Sequence, residues 1–494
     1  MLALGLTAAA GWLDLPKAHI DDLYYVQTAV THLAMGRIDN TAFTQEFRQG
    51  LTPDRDFGQL PFYSFFLSHW MGFLGTSAAS LQLFFLLFLC FGVFSLLDLS
   101  RKLGVNLFFS SFCAAVFALS LSLFGFRMDV VSFFLFLGGW RILMQGSSWA
   151  CFAGLGIFAA SAAVYPSGFF FGLPVFFHQY YRDILEPRLL GSWKGWMPIA
   201  SALFWFAGFF FLMQHLIAGD WGHFFRDYRI SAQQAVAGMP FSWEKYQLAW
   251  QMGTERSFFF PKMGFVLLAF VLVGLLFCIG RHRRAPVPIT VPCLLLMLGI
   301  LLNAGLVPLK FRLFAAGSAI LAGWALSGFF QLAKSWKGRL LALVFLSVYG
   351  TLAVPALVYG LMQAKPAPYQ LSGIIVELQR KGYAVLVDAN AARYGLDWKL
   401  PAGVGNFFTS RSVVDPDPLK RILPRTWQDF HDREIAILSW NDSLAELAGE
   451  WKFSMWGPLR LPVSATKSDV FFVSRQGVLG SVYDFKPETL PALP

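Results

Sequence analysis

The chain has 494 residues, 56% of them apolar and 14% charged, with 54 Phe and a formal net charge of +10. Soluble domains carry about 25% charged residues, so an ordinary soluble globular protein is excluded. The basic excess does not describe a nucleic-acid face either: residues 1–362 hold 24 Lys and Arg against 15 Asp and Glu, mainly in short loops between hydrophobic runs, while residues 363–494 are nearly neutral. That distribution orients a membrane protein.

A helix needs about 20 apolar residues to cross a bilayer. Suitable runs lie at 1–16, 80–99, 104–124, 129–145, 149–164, 166–181, 195–218, 262–280, 288–308, 312–332 and 340–362. The first begins at Met1 with no basic residue before it and is read as a first span rather than the core of a signal peptide. The expectation is a polytopic α-helical membrane protein of about eleven spans. Cys90, Cys113, Cys151, Cys278 and Cys293 all fall within hydrophobic runs, so neither a disulfide framework nor a CxxC metal site is implied.

With the N-terminus cytoplasmic, the inner loops carry Arg101 and Lys102, then Arg141, then Arg182, Arg188 and Lys194, then Arg281, Arg283 and Arg284, and last Lys334, Lys337 and Arg339. The short outer loops hold Arg127, Lys310 and Arg312. This alternation puts segments 17–79, 219–261 and 363–494 on the non-cytoplasmic side. The domain reading is a membrane part, 1–362, followed by a small extramembrane α/β domain, 363–494. In that domain helices are expected near 369–381 and 442–450, and strands near 383–388, 435–440 and 470–474.

Acidic residues are scarce near the spans, and each one at the bilayer asks for a function. Asp21 and Asp22 follow the first span directly, in a segment that reads Asp21-Asp22-Leu23-Tyr24-Tyr25. Composition alone favours an N-cap for the next helix. Asp54 and Asp56 form a D-x-D pair that suits a hard cation, but Asp54 after Pro53 is equally turn chemistry. Arg127 and Asp129 stand at the outer start of the fourth span and can pair with each other. Lys310 and Arg312 flank the outer turn between the ninth and tenth spans. They are either snorkelling anchors or two cations placed to hold a phosphate.

Together these features resemble the GT-C class of membrane glycosyltransferases, in the dolichyl-phosphate-mannose/aminoarabinose-transferase-like, family 39-like branch. That branch carries an acidic D-[DE]-x-x-Y motif after span one, matched here by Asp21, Asp22 and Tyr25. A helix ending in Gly36 and a Pro-led surface helix from Pro61 to Gly75 continue the likeness. So do Arg127-Met128-Asp129 before span four and Arg312 near a late span. The departures are Asp22 in place of Glu, Leu60-Pro61-Phe62 in place of Pro-Pro-Leu, and Tyr165-Pro166-Ser167-Gly168 where many relatives carry a Lys-Tyr-Thr-like element.

The resemblance implies sugar transfer from a polyprenyl-phosphate donor to a lipid, glycan or protein acceptor at the non-cytoplasmic face of a cell membrane, a bacterial inner membrane by preference. It implies Asp21 as the base with Asp22 beside it. Tyr25, Asp56, Arg127, Asp129, Lys310 and Arg312 are then substrate-binding residues. Membrane lipids are partners, nucleic acid is not, and no cofactor or metal is assigned. The rival reading is a transporter or flippase. It lacks support from internal repeats or Gly/Pro-broken helices in matching positions, and most of the charges lie at outer loop edges rather than mid-membrane.

Overall fold

The computed structural model of the chain describes residues 60–75, 78–122, 127–182, 193–222, 290–306 and 311–332, short pieces within 28–38, 224–225 and 336–347, and the strands of the C-terminal segment. The described helices are α1 (Pro61–Leu74), α2 (Ala78–Lys102), α3 (Leu107–Ser122), α4 (Met128–Leu143), α5 (Ser148–Val164), α6 (Ser167–Tyr180), α7 (Trp193–Leu216), α8 (Thr290–Leu306) and α9 (Phe311–Leu332). Eight of the hydrophobic runs read from the sequence correspond one for one to α2–α9. The runs at 1–16 and 262–280, and most of 340–362, lie outside the described residues. Among the described residues two helices, Ser80–Lys102 and Gly195–Leu216, are long and apolar enough to cross a membrane.

The chain divides into two compact units. One comprises 1–17, 84–215 and 235–364; the other comprises 18–83, 216–234 and 365–494.

In the first unit α4 packs on α5 and α6, α9 on α3, and α8 on α6 and α9. Glycine makes the α4–α5 crossing close. A Cβ on Gly139 would lie 3.0 Å from the Gly154 carbonyl, and one on Gly154 would lie 3.1 Å from the Gly139 carbonyl. Small residues at a helix crossing let the backbones approach and gain dispersion contacts, the main attraction available where lipid is the solvent. Around that crossing the core is aromatic. Phe133 and Phe136 of α4 meet Phe171 of α6 with ring centroids 4.8 and 5.3 Å away. Trp140 meets Trp324 of α9 at 5.7 Å, and the Trp324 indole N–H donates to Ser100 Oγ of α2 at 2.9 Å.

The outward faces are apolar too. Leu87 and Phe94 of α2 are exposed, as are Leu203, Phe204, Phe206, Phe210 and Phe211 of α7. Contiguous large apolar side chains facing outward suit hydrocarbon, not water.

The basic helix ends gather at one end of this unit. The α2–α3 turn closes at Gly104, whose φ of 71° is in the left-handed region. Val105 N–H reaches back to the Ser100 carbonyl at 2.9 Å. Asn106 N–H of the same turn donates to Ser327 Oγ near the end of α9 at 2.8 Å. Arg101, Lys102, Arg141 and Arg339 all belong to this end, the last stacked 5.7 Å over Phe330.

In the second unit, α1 begins with Pro61 in its first turn, where the missing N–H costs nothing. It stops at Gly75, with φ 84°. The C-terminal segment contributes a five-stranded sheet in the order β2-β1-β3-β4-β5. These strands are β1 (Ala384–Val387), β2 (Val413–Val414), β3 (Ile435–Ser439), β4 (Ser468–Phe472) and β5 (Tyr483–Phe485). The central β1–β3 and β3–β4 pairs are parallel, and both edge strands are antiparallel. Parallel neighbours require long crossovers. The helices expected at 369–381 and 442–450 lie outside the described residues.

Candidate functional site

At the end of α4 remote from Arg141 stands a buried ion pair. Arg127 is the N-cap residue, extended at φ −70° and ψ 138°, and Asp129 lies in the first helical turn. Arg127 Nε donates to Asp129 Oδ1 at 3.1 Å, with side chains only 8% and 1% exposed. The Arg127 carbonyl accepts from the N–H groups of Val130 and Val131, which fixes the cap. A carboxylate in the first turn also meets the positive end of the helix dipole. Pairing was the simpler expectation for these two residues and it is what the structure has; the depth of burial was not legible from the sequence.

One turn further along α4, Ser132 ties this end to the α5–α6 turn. Ser161 Oγ donates to the Ser132 carbonyl at 2.6 Å. Its proton is thereby used, so Ser132 Oγ, 3.1 Å from Ser161 Oγ, donates to the Ser161 carbonyl at 2.9 Å, with the Tyr165 carbonyl at 3.3 Å. Gly168 fills the remaining space: a Cβ there would lie 2.1 Å from Ser161 Oγ and 2.7 Å from Ser132 Oγ. Residues i and i+3 of a helix share a face, so Asp129 stands on the same face of α4 as the clamped hydroxyl. The structure thus sets the segment Tyr165–Gly168 against Ser132, one turn along α4 from Asp129; sequence reasoning had noted that segment only as a departure from a family pattern. A small hydroxyl every turn is common in apolar helices, so no sequence signal marked Ser132 or Ser161.

Asp21, Asp22, Tyr25, Asp56 and Lys310 lie outside the described residues. Arg312 is the second residue of α9; its backbone is helical, and its side chain lies outside the described set. Among the described residues no three His, Cys, Asp or Glu gather as a metal-holding group.

Two further polar clusters were not singled out from the sequence. In the second unit Ser68 Oγ donates to the Phe65 carbonyl at 2.6 Å and accepts from His32 Nδ1 at 2.7 Å. His69 Nδ1 donates to that same carbonyl at 2.9 Å. In the first unit Asp98 of α2 receives Arg101 of its own helix at 2.9 Å and Arg141 of α4 at 2.8 Å. The spacing of Asp98 three and four residues before Arg101 and Lys102 is a helical ion-pair signal that could have found it. Arg141, from another helix, had no such signal.

No protein-family model matches the chain, and no curated protein does. Among solved structures it is similar to the apo oligosaccharyltransferase of Archaeoglobus fulgidus, with 12% identity and a TM-score of 0.44 over 76% of this chain and 58% of that one. It is similar also to AglB of the same organism in complex with an inhibitory peptide and a dolichol-phosphate: 14% identity and TM-score 0.45, over 94% of this chain and 65% of that one. A third is ArnT from Cupriavidus metallidurans bound to undecaprenyl phosphate, at 16% identity and TM-score 0.44, over 77% and 71%. These are glycosyltransferases of the GT-C class. The chain spans less than two thirds of the length of the two archaeal chains.

Proposed function

We propose that this chain transfers a sugar from a polyprenyl-phosphate donor to a lipid, glycan or protein acceptor, at the membrane face occupied by segments 17–79, 219–261 and 363–494. The observation that carries the reading is the buried Arg127–Asp129 pair, at the end of the helical unit opposite its basic end. An ion pair at that depth in apolar surroundings marks a functional site by default. Its place at a helix start favours a site at the membrane surface over the mid-membrane sites of transporters. The grouping of 18–83 and 216–234 with 365–494 in one compact unit supports the assignment of those segments to one face.

In this reading Asp21 takes the proton from the acceptor nucleophile as it attacks the anomeric carbon, and the C–O bond to the polyprenyl phosphate breaks with its electron pair left on the phosphate. Lys310 and Arg312 stabilise that leaving anion. Asp22, Tyr25, Asp56, Arg127 and Asp129 orient the acceptor and the donor hydroxyls. Attack opposite the leaving phosphate inverts the anomeric centre.

The test is turnover of a polyprenyl-phosphate sugar by the purified chain in nanodiscs. Replacing Lys310 and Arg312 together with Ala is expected to weaken donor use strongly, because an anion at a low-dielectric interface loses hydration and needs fixed cations. Unchanged donor affinity in the double variant would return the two cations to a snorkelling role. Absence of turnover with every donor tried, by a folded protein, would count against the reading as a whole.

A further inference from the structure

The basic end of the first unit holds a second constellation, unrelated to sugar transfer. Asp98 sits at its centre, 12% exposed. Arg101 meets Asp98 Oδ1 at 2.9 Å, Arg141 meets Oδ2 at 2.8 Å and Lys102 approaches Oδ2 at 3.6 Å. Lys102 Nζ also donates to the Arg141 carbonyl at 3.2 Å, so α2 and α4 are joined twice. One carboxylate against three cations leaves two positive charges in a space of a few ångströms. Arg101 remains 79% exposed while held by its Asp98 bond.

An apolar track leads away from this charge. The Arg141 guanidinium lies 4.6 Å over the Phe94 ring, and Phe94 is 53% exposed. Leu87, 51% exposed, stands seven residues before Phe94, and Arg101 stands seven residues after it. Steps of seven return to the same helix face. Leu87, Phe94 and Arg101 therefore form one outward row of about 21 Å at 1.5 Å per residue, somewhat longer than one leaflet of a hydrocarbon core about 30 Å thick.

We propose that this end of α2 and α4 is a binding site for an acidic phospholipid, its phosphate held by Arg101 and Lys102 and its acyl chain laid along Phe94 and Leu87. Three features select that occupant. Two uncompensated cations favour a headgroup with net negative charge over a zwitterionic one. The planar guanidinium of Arg101 matches phosphate oxygens. The continuous apolar row below the charge suits an amphiphile and offers nothing to a free anion. Asp98 holds Arg101 and Arg141 in place before the lipid arrives, which lowers the ordering cost of binding.

The experiment uses the full chain, delipidated in detergent and titrated with phosphatidylglycerol, phosphatidylcholine or inorganic phosphate, with bound species counted by native mass spectrometry. The parent protein is expected to retain phosphatidylglycerol in preference to phosphatidylcholine. Arg101→Gln with Lys102→Gln takes the cluster to neutrality while leaving the Arg141–Asp98 bond that joins the helices. It should bind phosphatidylglycerol roughly thirtyfold more weakly, at about fivefold per basic residue near an anionic headgroup. Arg101→Gln alone, at a side chain mostly in solvent, should cost about fivefold and guards against misfolding of the double variant. Phe94→Ala should weaken phosphatidylglycerol further than inorganic phosphate. Equal retention of the two lipids by the parent, equal phosphatidylglycerol binding by parent and double variant, or saturation by inorganic phosphate in place of lipid would each overturn the proposal.

Discussion

Ser132 of α4 and Ser161 of α5 each give their hydroxyl proton to the other's main-chain carbonyl, at 2.9 and 2.6 Å. This reciprocal exchange satisfies both hydroxyls in an apolar crossing, where an unpaired group costs several kcal/mol. It fixes the turn Tyr165–Gly168 against Ser132, which stands one helical turn along α4 from Asp129.

Gly168→Ala is therefore expected to destabilise the protein by about 1–3 kcal/mol, the usual cost of inserting a methyl group into a filled core. The added Cβ would also stand 2.6 Å from the Ser161 carbonyl carbon, backbone that a side-chain rotation cannot clear. Thermal unfolding in detergent measures it. A Gly168→Ala protein as stable as the parent would mean that the crossing has room the structure does not have.

Asp98 anchors the opposite end. Asp98→Asn keeps the shape and removes the charge that gathers Arg101, Lys102 and Arg141. A hydrogen bond to a charged group contributes about 1.5–3 kcal/mol, so a lower unfolding temperature is expected. Arg141→Lys should reproduce most of the loss, since an ammonium cannot both donate in the guanidinium plane and stack on Phe94. Unfolding temperatures unchanged in both variants would make the cluster a solvated surface feature.

The extent to which this fold was legible follows from what each signal measures. Hydrophobic length found α2–α9 because an apolar run of about 20 residues has few other uses. Cation placement singled out Arg101, Lys102, Arg141 and Arg339 as loop charges of one side, and the structure brings them to one end of the unit. In the C-terminal segment the alternating and apolar runs marked β1 and β3, while β4 begins at Ser468, two residues before the expected start. The edge strands β2 and β5 escaped notice because two and three residues are too short to show a period. Contacts between distant hydroxyls, such as Ser132 with Ser161, carry no periodic signal and emerge only when the helices are packed.

The Arg127–Asp129 pair separates a structural role from a functional one. Breaking a buried ion pair from one side costs about 3–5 kcal/mol, whereas replacing both members with apolar residues of similar volume is often neutral. Asp129→Leu is expected to fall in the first class, and Arg127→Met with Asp129→Leu in the second. If the pair orients substrate, the double variant should be stable and transfer sugar at least about a hundredfold more slowly, as expected when a positioned polar group is lost. A stable and fully active double variant would assign the pair to packing alone.

The last prediction concerns Asp21, proposed as the base. An N-terminal cap and a general base both call for Asp directly after a span, so the two roles must be separated chemically. Asn caps a helix about as well as Asp but accepts no proton at neutral pH. Asp21→Asn should therefore keep the parent's thermal stability while transfer from a polyprenyl-phosphate sugar falls by about 10²–10⁴-fold, the usual worth of a positioned base. Asp21→Ala should add a stability loss of about 1 kcal/mol, as the cap disappears as well. Asp22→Asn should cost less activity than Asp21→Asn if Asp22 orients the acceptor. The measurement is turnover under donor saturation alongside an unfolding curve for each variant. An active Asp21→Asn protein would take Asp21 out of the chemistry and pass the base role to Asp22, Asp56 or Asp129. A variant that loses stability and activity in parallel would leave Asp21 as a cap.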